Sequence, residues 1–252
     1  MQHDYLGKAA LVTGAASGLG RATAHALNEA GADVFAVDIN QAALEETMRE
    51  ASGAGRMQIL AADLSNLAGC AAIVEQATTV FGQLDLLCNI AGIARMERMS
   101  DVTPEQWRRL VDINLSAPFF LAQAALPHLI RTKGAIVNVA SNAGLQGLAY
   151  MTAYCASKAG LVGLTKAMAM EFMHAPVRIN AIAPAGMNTP MSAPGALTPP
   201  EGFEVDLLNR YVGMRGPSDP EAVADFILYV GSGRGAFFHG ACLSMDQGQT
   251  AG

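Results

Sequence analysis

The 252-residue sequence predicts one α/β domain over residues 1–252, with a parallel sheet covered by helices on both faces. Three observations carry this expectation. Short β-rich runs alternate with longer helical stretches, the pattern of βαβ units. Several of those runs have no polar face, as strands buried on both sides do not. Apolar residues make up 51% of the chain and charged ones 15%, which is enough to bury a large core.

The predicted strands are Ala9–Thr13, Asp33–Asp38, Met57–Ala62, Leu84–Ile90, Ala135–Ser141, Val177–Ala183 and Ala241–Met245. A helix from about Arg21 to Ala30 follows the first of them. Thr103-Pro104-Glu105-Gln106 combines an N-cap, a first-turn proline and a capping box, so a helix opens there and runs through Trp107 and Leu110. Asp219-Pro220-Glu221 opens another, to about Val230. No internal repeat or interdomain linker interrupts the pattern. The stretch 184–217 is dense in Pro, Gly and Met, and a loop of that length reads as a lid or a binding loop.

The net charge of −6 and the acidic pI near 5.3 argue against nucleic acid as a partner, since phosphate neutralisation needs a basic surface. No membrane partner is expected either: the most apolar stretch, Ala117 to Ile130, is broken by Gln123, Pro127 and His128. Met1 to Lys8 lacks the basic and apolar segments of a secretory signal. Cys70, Cys88, Cys155 and Cys242 are widely spaced and read as reduced thiols of a cytoplasmic protein, with no metal site.

Thr13-Gly14-Ala15-Ala16-Ser17-Gly18-Leu19-Gly20 lies between the first strand and its helix. Glycines there let the chain turn sharply and let a pyrophosphate reach the helix N-terminus, where free N–H groups and the dipole favour anions. Strand, glycines and helix in that order point to a dinucleotide held by Gly14, Ser17, Gly18, Leu19 and Gly20. The spacing is G-x-x-x-G-x-G. Asp38 ends the second strand, where a carboxylate accepts from the adenosine ribose and repels a 2′-phosphate. With no Arg or Lys at Ala15, Ala16, Ser17 or Ile39, the expected cofactor is NAD. Asp63 closes the third strand and is either beside the adenine or a plain N-cap; Leu64, next to it, is also expected to contact the cofactor.

Tyr154 and Lys158 stand at i and i+4 of a helical stretch and share one face. An ammonium ~4 Å from the phenol would favour phenolate by ~4 kcal/mol, or roughly 3 pKa units, and so bring the tyrosine towards a working general acid or base. Alone, such a pair also fits a solvated helix face. Ser141, at the end of the fifth strand, supplies a hydroxyl at the edge where cofactor clefts form.

Together, Thr13-Gly14-x-x-x-Gly18-x-Gly20, Asn89-Ile90-Ala91-Gly92, Asn114, Ser141 and Tyr154-x-x-x-Lys158 resemble the short-chain dehydrogenase/reductase family in order and spacing, from about Leu6 to Gly248. The resemblance implies a Rossmann-like, doubly wound parallel sheet of about seven strands and a catalytic tetrad of Asn114, Ser141, Tyr154 and Lys158. Tyr154 would exchange a proton with the substrate oxygen, Lys158 would lower the tyrosine pKa and bind the nicotinamide ribose, and Ser141 would hold the oxygen. Asn114 would anchor a water behind Lys158. Further cofactor contacts are implied at Asn89, Ala91, Gly92, Pro184, Gly186 and Thr189. Two departures stand out. Ile90 replaces a second asparagine, and the glycine after Pro184 comes one place late, at Gly186. A homotetramer is implied too, with a dimer as the second choice, built on the helix from about Pro104 to Arg131, the Tyr154 helix and the last strand.

The predicted lid carries Met187, Met191, Leu197, Phe203, Leu207 and Leu208, which either line a substrate pocket or pack the lid onto the body. Gln146 and Met151 should also face the pocket, so a small hydrophobic secondary alcohol or its ketone is the expected substrate. Arg95 is either a surface residue or a partner for a substrate carboxylate. A 3-oxoacyl-acyl-carrier-protein reductase is the alternative within the family; it needs basic residues such as Arg131 and Lys133 beside the cleft, and fits Asp38 poorly. A non-catalytic dinucleotide-sensing regulator is the alternative of another class, and it would have no need of Ser141, Tyr154 and Lys158.

Overall fold

The computed structural model describes residues 5–209 and 215–251. Residues 1–4 of the segment Met1 to Lys8, and residues 210–214 of the predicted lid, lie outside them. The strands are β1 (Ala9–Thr13), β2 (Asp33–Asp38), β3 (Met57–Ala61), β4 (Leu86–Asn89), β5 (Ala135–Val139), β6 (Arg178–Pro184) and β7 (Cys242–Met245). The helices are α1 (Gly18–Glu29), α2 (Gln41–Glu50), α3 (Cys70–Phe81), α4 (Pro104–Val111), α5 (Ala117–Thr132), α6 (Thr152–Glu171), α7 (Val205–Leu208) and α8 (Pro220–Gly231).

All seven strands pair in parallel in one Rossmann-like sheet, ordered β3-β2-β1-β4-β5-β6-β7. Strand parity divides the core into two layers. Ala10, Val12, Val34, Ala36, Leu86 and Val137 face Leu27 of α1 and Val223, Ile227 and Leu228 of α8. Leu11, Phe35, Val37, Leu87 and Ile136 face Ile73 and Val74 of α3, Leu121 and Leu129 of α5, and Met168 of α6. Strands covered on both sides have no solvent face to mark with polar residues, which is why their sequences read as unbroken apolar runs.

The chain reverses its direction of travel across the sheet between β1 and β4, and ligand crevices form at such a switch point, outside the carboxyl ends of the strands. Thr13 ties the two strands there: its Oγ1 accepts from the N–H groups of Ile90 (3.0 Å) and Ala91 (3.1 Å).

Between α4 and α5 the residues Asp112–Ser116 form a π-helical turn, so that one continuous helix of 29 residues spans Pro104–Thr132. By length and composition it is apolar enough to cross a membrane, a feature the interrupted run Ala117 to Ile130 did not suggest. Its apolar side, with Leu121, Ala125 and Leu129, packs on the sheet instead. Along α6, Leu161, Leu164, Met168 and Phe172 recur at spacings of three and four and also turn inward: Leu161 and Met168 are buried, and Leu164 and Phe172 pack against the α3/α5 layer.

Candidate active site

A cleft of ≈ 440 Å³ opens at the switch point, and most of the predicted residues meet in its wall. Gly14, Ser17, Gly18, Leu19 and Gly20 line it, with Asp38, Asp63, Leu64, Ala91, Gly92, Ser141, Met151, Tyr154, Lys158, Pro184, Gly186, Met187, Thr189 and Met191.

At one end the β1–α1 turn forms the cradle that a pyrophosphate requires. Gly14 has φ +71°, and a Cβ on it would stand 2.9 Å from the Cα of Ala91. A Cβ on Gly20 would collide with the carbonyl of Gly14, so the helix start can sit tightly on the turn only without a side chain there. Across the cleft, Thr189 Cβ would lie 3.1 Å from a Cβ on Gly18. Ser17 is the N-cap residue of α1, yet its hydroxyl makes no capping bond. These features fit a dinucleotide, with its phosphates at the α1 N-terminus.

Asp38 is held against the same turn, its Oδ2 accepting from Ala16 N–H at 3.2 Å and its Oδ1 from Asn40 N–H at 3.0 Å. Asp63 lines the cleft and at the same time caps its own turn. Its Oδ1 accepts from the backbone and the hydroxyl of Ser65 (2.9 and 2.8 Å), and these bonds hold its pKa below the usual carboxylate range. Arg109 of α4, which the sequence reading did not single out, also lines the cleft and reinforces that shift.

Asn89 requires a correction. It is 2% exposed and is not among the cleft residues. Its amide donates to Asn138 Oδ1 at 2.9 Å, and Asn138 in turn donates to Thr165 Oγ1 at 2.9 Å. The residues after it, Ile90, Ala91 and Gly92, make the wall.

At the other end, β5 and α6 bring Ser141, Tyr154 and Lys158 together. Ser141 Oγ accepts from Ala143 N–H (3.1 Å), which caps a short 3-10 turn at Asn142–Gly144, and donates to Asn142 Oδ1 (3.1 Å). Burial pushes the Tyr154 phenol above its ordinary pKa, and a side-chain hydrogen bond with Ser141 pulls it back down. Lys158 reaches across to β5 in this arrangement. Its Nζ donates to the Val139 carbonyl at 2.7 Å and lies 5.9 Å from the Tyr154 ring centre, and burial brings its own pKa down to about 8.

Asn114 is fully buried inside the π-helical turn, a form of helix often found at functional sites. Its Oδ1 accepts from Ile93 N–H (2.9 Å), and its Nδ2 donates to Ile93 O (2.9 Å) and Ser157 Oγ (3.1 Å). The side chain therefore fastens the loop beyond Gly92 to α6, directly behind Lys158.

The outer wall is apolar: Ala94, Met96, Leu148, Met151, Met187, Met191 and Leu197. Met96 and Leu148 are additions to the sequence reading, and Gln146 is a second correction. Successive turn bonds, Gly144 N–H to Ser141 O and Gln146 N–H to Asn142 O, rotate the chain so that Leu148 reaches the cleft and Gln146 does not. Phe203, Leu207 and Leu208 also stay off the wall. Their part of the lid is anchored instead: Arg98 donates to the carbonyls of Glu201 (2.9 Å) and Gly202 (2.8 Å), and Tyr150 Oη accepts from Glu204 N–H (3.0 Å). Tyr150 has φ +61°, an uncommon conformation for a bulky residue. Arg95 pairs with Glu97 at 2.7 Å outside the cleft. Arg131, in the last turn of α5, and Lys133, just after it, lead into the start of β5, at the opposite edge of the sheet from the cleft.

Comparison with known proteins accords with this geometry. Residues 8–198 match the family model described as short chain dehydrogenase. The chain is 34% identical over 244 residues to a 3-oxoacyl-[acyl-carrier-protein] reductase of Thermotoga maritima, covering 96% of this chain and 97% of that protein. It is 35% identical over 257 residues to a cyclohexanol dehydrogenase of an Acinetobacter species, covering 100% and 98%. Among solved structures, a short chain dehydrogenase from Mycobacterium paratuberculosis bound to NAD superposes with a TM-score of 0.87 at 28% identity, covering 99% of this chain and 100% of that one. A putative gluconate 5-dehydrogenase from Beutenbergia cavernae with bound NADP gives 0.88 at 30% identity, covering 100% of both chains. The phosphate cradle at the switch point, the Ser141–Tyr154–Lys158 cluster and the family match lead to one conclusion: the chain belongs to the short-chain dehydrogenase/reductase family and is an oxidoreductase acting on alcohol groups.

Proposed function

We propose that this enzyme uses NAD(H) to interconvert a secondary alcohol and its ketone on a small, apolar, uncharged substrate. The observation that carries the proposal is the meeting of two hydroxyls, Ser141 and Tyr154, with a methionine-rich wall that contributes no charged side chain. When bound, the nicotinamide accepts or supplies the hydride. Ser141 donates to the substrate oxygen, and Tyr154 takes the alcohol proton or gives one to the ketone. Lys158 holds the nicotinamide ribose and, once its ammonium leaves the Val139 carbonyl, stabilises phenolate. Asn114 keeps the Gly92–Ile93 loop against α6 and anchors a water behind Lys158. Screening the purified protein with NAD against cyclic and acyclic secondary alcohols tests the reading, and failure to oxidise any of them would overturn it.

The preference for NAD rests on Asp38 beside the phosphate turn, where a 2′-phosphate would meet a carboxylate. We expect kcat/KM for NAD to exceed that for NADP by about 100-fold, a few kcal/mol of like-charge repulsion. In Asp38→Ala that preference should shrink or reverse. Equal values for the wild type would remove Asp38 from the account.

The acyl-carrier-protein reductase from Thermotoga maritima supports a second reading, reduction of a 3-oxoacyl thioester. Within one chain Arg131 and Lys133 sit at the wrong edge of the sheet to steer an acidic carrier to the cleft, so the alcohol reading is preferred. We also propose a homotetramer in the cytoplasm. Phe237 is 98% exposed, and Phe119, Phe120 and Trp107 are exposed on α4 and α5, apolar surface that a neighbouring subunit would cover. Light scattering at micromolar concentration should give four times the chain mass, and a stable monomer would contradict it.

A further inference from the structure

Ser141 has one hydroxyl proton and three neighbours that can receive it: the substrate oxygen, a Tyr154 phenolate, and the side chain of Asn142. In the structure the proton goes to Asn142 Oδ1, at 3.1 Å. An asparagine amide presents an acceptor at one end and a donor at the other, so this bond forms only if the amide faces the right way. The C-terminal segment supplies a partner for that orientation. Asn142 Nδ2 donates to Gln249 Oε1 at 2.8 Å, and Gln249 itself lines the cleft.

Gln249 is placed by a built turn. Asp246, 6% exposed, accepts from Gly248 N–H at 3.0 Å and from Thr250 N–H at 2.9 Å, and Gln249 N–H closes on the Asp246 carbonyl at 3.0 Å. Gln247 and Gly248 both take positive φ, +54° and +86°, to make the bend.

We propose that Asn142, oriented by Gln249, is a positioning residue that competes with the Tyr154 phenolate for the single proton of Ser141. The proposal rests on the reading of Ser141 and Tyr154 as the reacting pair, and it assigns a task to the C-terminal turn. The more the proton rests with Asn142, the weaker is the Ser141 bond that stabilises phenolate, and Tyr154 stays neutral to higher pH. When a substrate oxygen arrives as a better-placed acceptor, the hydroxyl rotates to it. The other ionisable groups around Tyr154 do not make this distinction. Lys158 and Cys155 share its helix, Asp38, Asp63 and Arg109 line the cleft, and Asp246 is engaged by its own turn; none of these is hydrogen-bonded to Ser141.

The test is a titration of Tyr154, read as phenolate ultraviolet absorbance with Tyr154→Phe subtracted, and again as the pH dependence of kcat/KM for alcohol oxidation. Asn142→Ala and Gln249→Ala should each lower the Tyr154 midpoint, by about one pH unit for Asn142→Ala, because the freed serine hydroxyl then stabilises phenolate. Gln249 is only partly buried, so its variant reports even if removal of buried Asn142 weakens the fold. In a Ser141→Ala background neither substitution should move the midpoint. No shift in either variant, an upward shift, or a shift that survives Ser141→Ala overturns the proposal. A purely structural role would depress rates at all pH values without displacing the midpoint. Absence of turnover with every alcohol would overturn the functional reading, but would leave the absorbance titration free to decide this one.

Discussion

Tyr154→Phe is expected to lower turnover by about 10³-fold, the usual scale of a lost general acid–base group, while leaving NADH binding within about twofold. The phenylalanine ring fills the same space, so the wall of the cleft and the cradle around Gly14, Gly18 and Gly20 stay as they are. What disappears is the only phenol lining the cleft beside Ser141 among the described residues. Stopped-flow or steady-state turnover with the best alcohol, set beside fluorescence titration of NADH, separates the two effects. Turnover within about tenfold of the wild type would exclude Tyr154 as the proton-transfer group.

Arg178→Met is expected to be the most destabilising of the substitutions considered, although it lies far from the chemistry. The guanidinium of Arg178, at the start of β6, donates to four carbonyls at the end of α8 and just beyond it: Val230 (2.6 Å), Gly231 (2.8 Å), Ser232 (2.8 Å) and Gly235 (2.9 Å). Those of Val230 and Gly231 are carbonyls that a helix C-terminus leaves without partners, and a cation there also complements the dipole. Methionine preserves the apolar stem and removes every donor. The expected loss is roughly 2–4 kcal/mol, since hydrogen bonds to a charged group are strong but not additive. For a chain of this length that is a fall in Tm on the order of 5–10 °C. A change within about 1 °C would mean that water satisfies those carbonyls in the folded protein.

The lid gives a related expectation. Arg98→Ala removes the donors to Glu201 and Gly202 and leaves the cofactor end untouched. KM for the alcohol should therefore rise several-fold, on the order of the 1–2 kcal/mol that such bonds contribute, with the NADH Kd unchanged. Parallel changes in both constants would show that the anchor supports the whole cleft.

The features legible in the sequence are those written in neighbouring residues. The β1–α1 glycine turn, the Thr103 capping box, and the spacing of Tyr154 and Lys158 each lie within one or two helical turns, where backbone geometry alone decides which groups meet. The unbroken apolar runs likewise announced strands buried on both faces. Tertiary structure decided the rest, because it depended on which elements lie side by side. Asn89 belongs to a motif, yet strand parity sends its amide under the cleft to Asn138 on β5. Lys158 shares a helical face with Tyr154, yet the nearby end of β5 offers the Val139 carbonyl at 2.7 Å and draws the ammonium there. Gln146 is turned from the wall by hydrogen bonds of the Asn142–Gly144 turn. Gln249 meets Asn142, and Arg178 meets the end of α8, across long stretches of chain. Periodicity and local spacing carry no information about such pairs. Strand order and register bring them together, and these are set by packing seven strands between two helical layers.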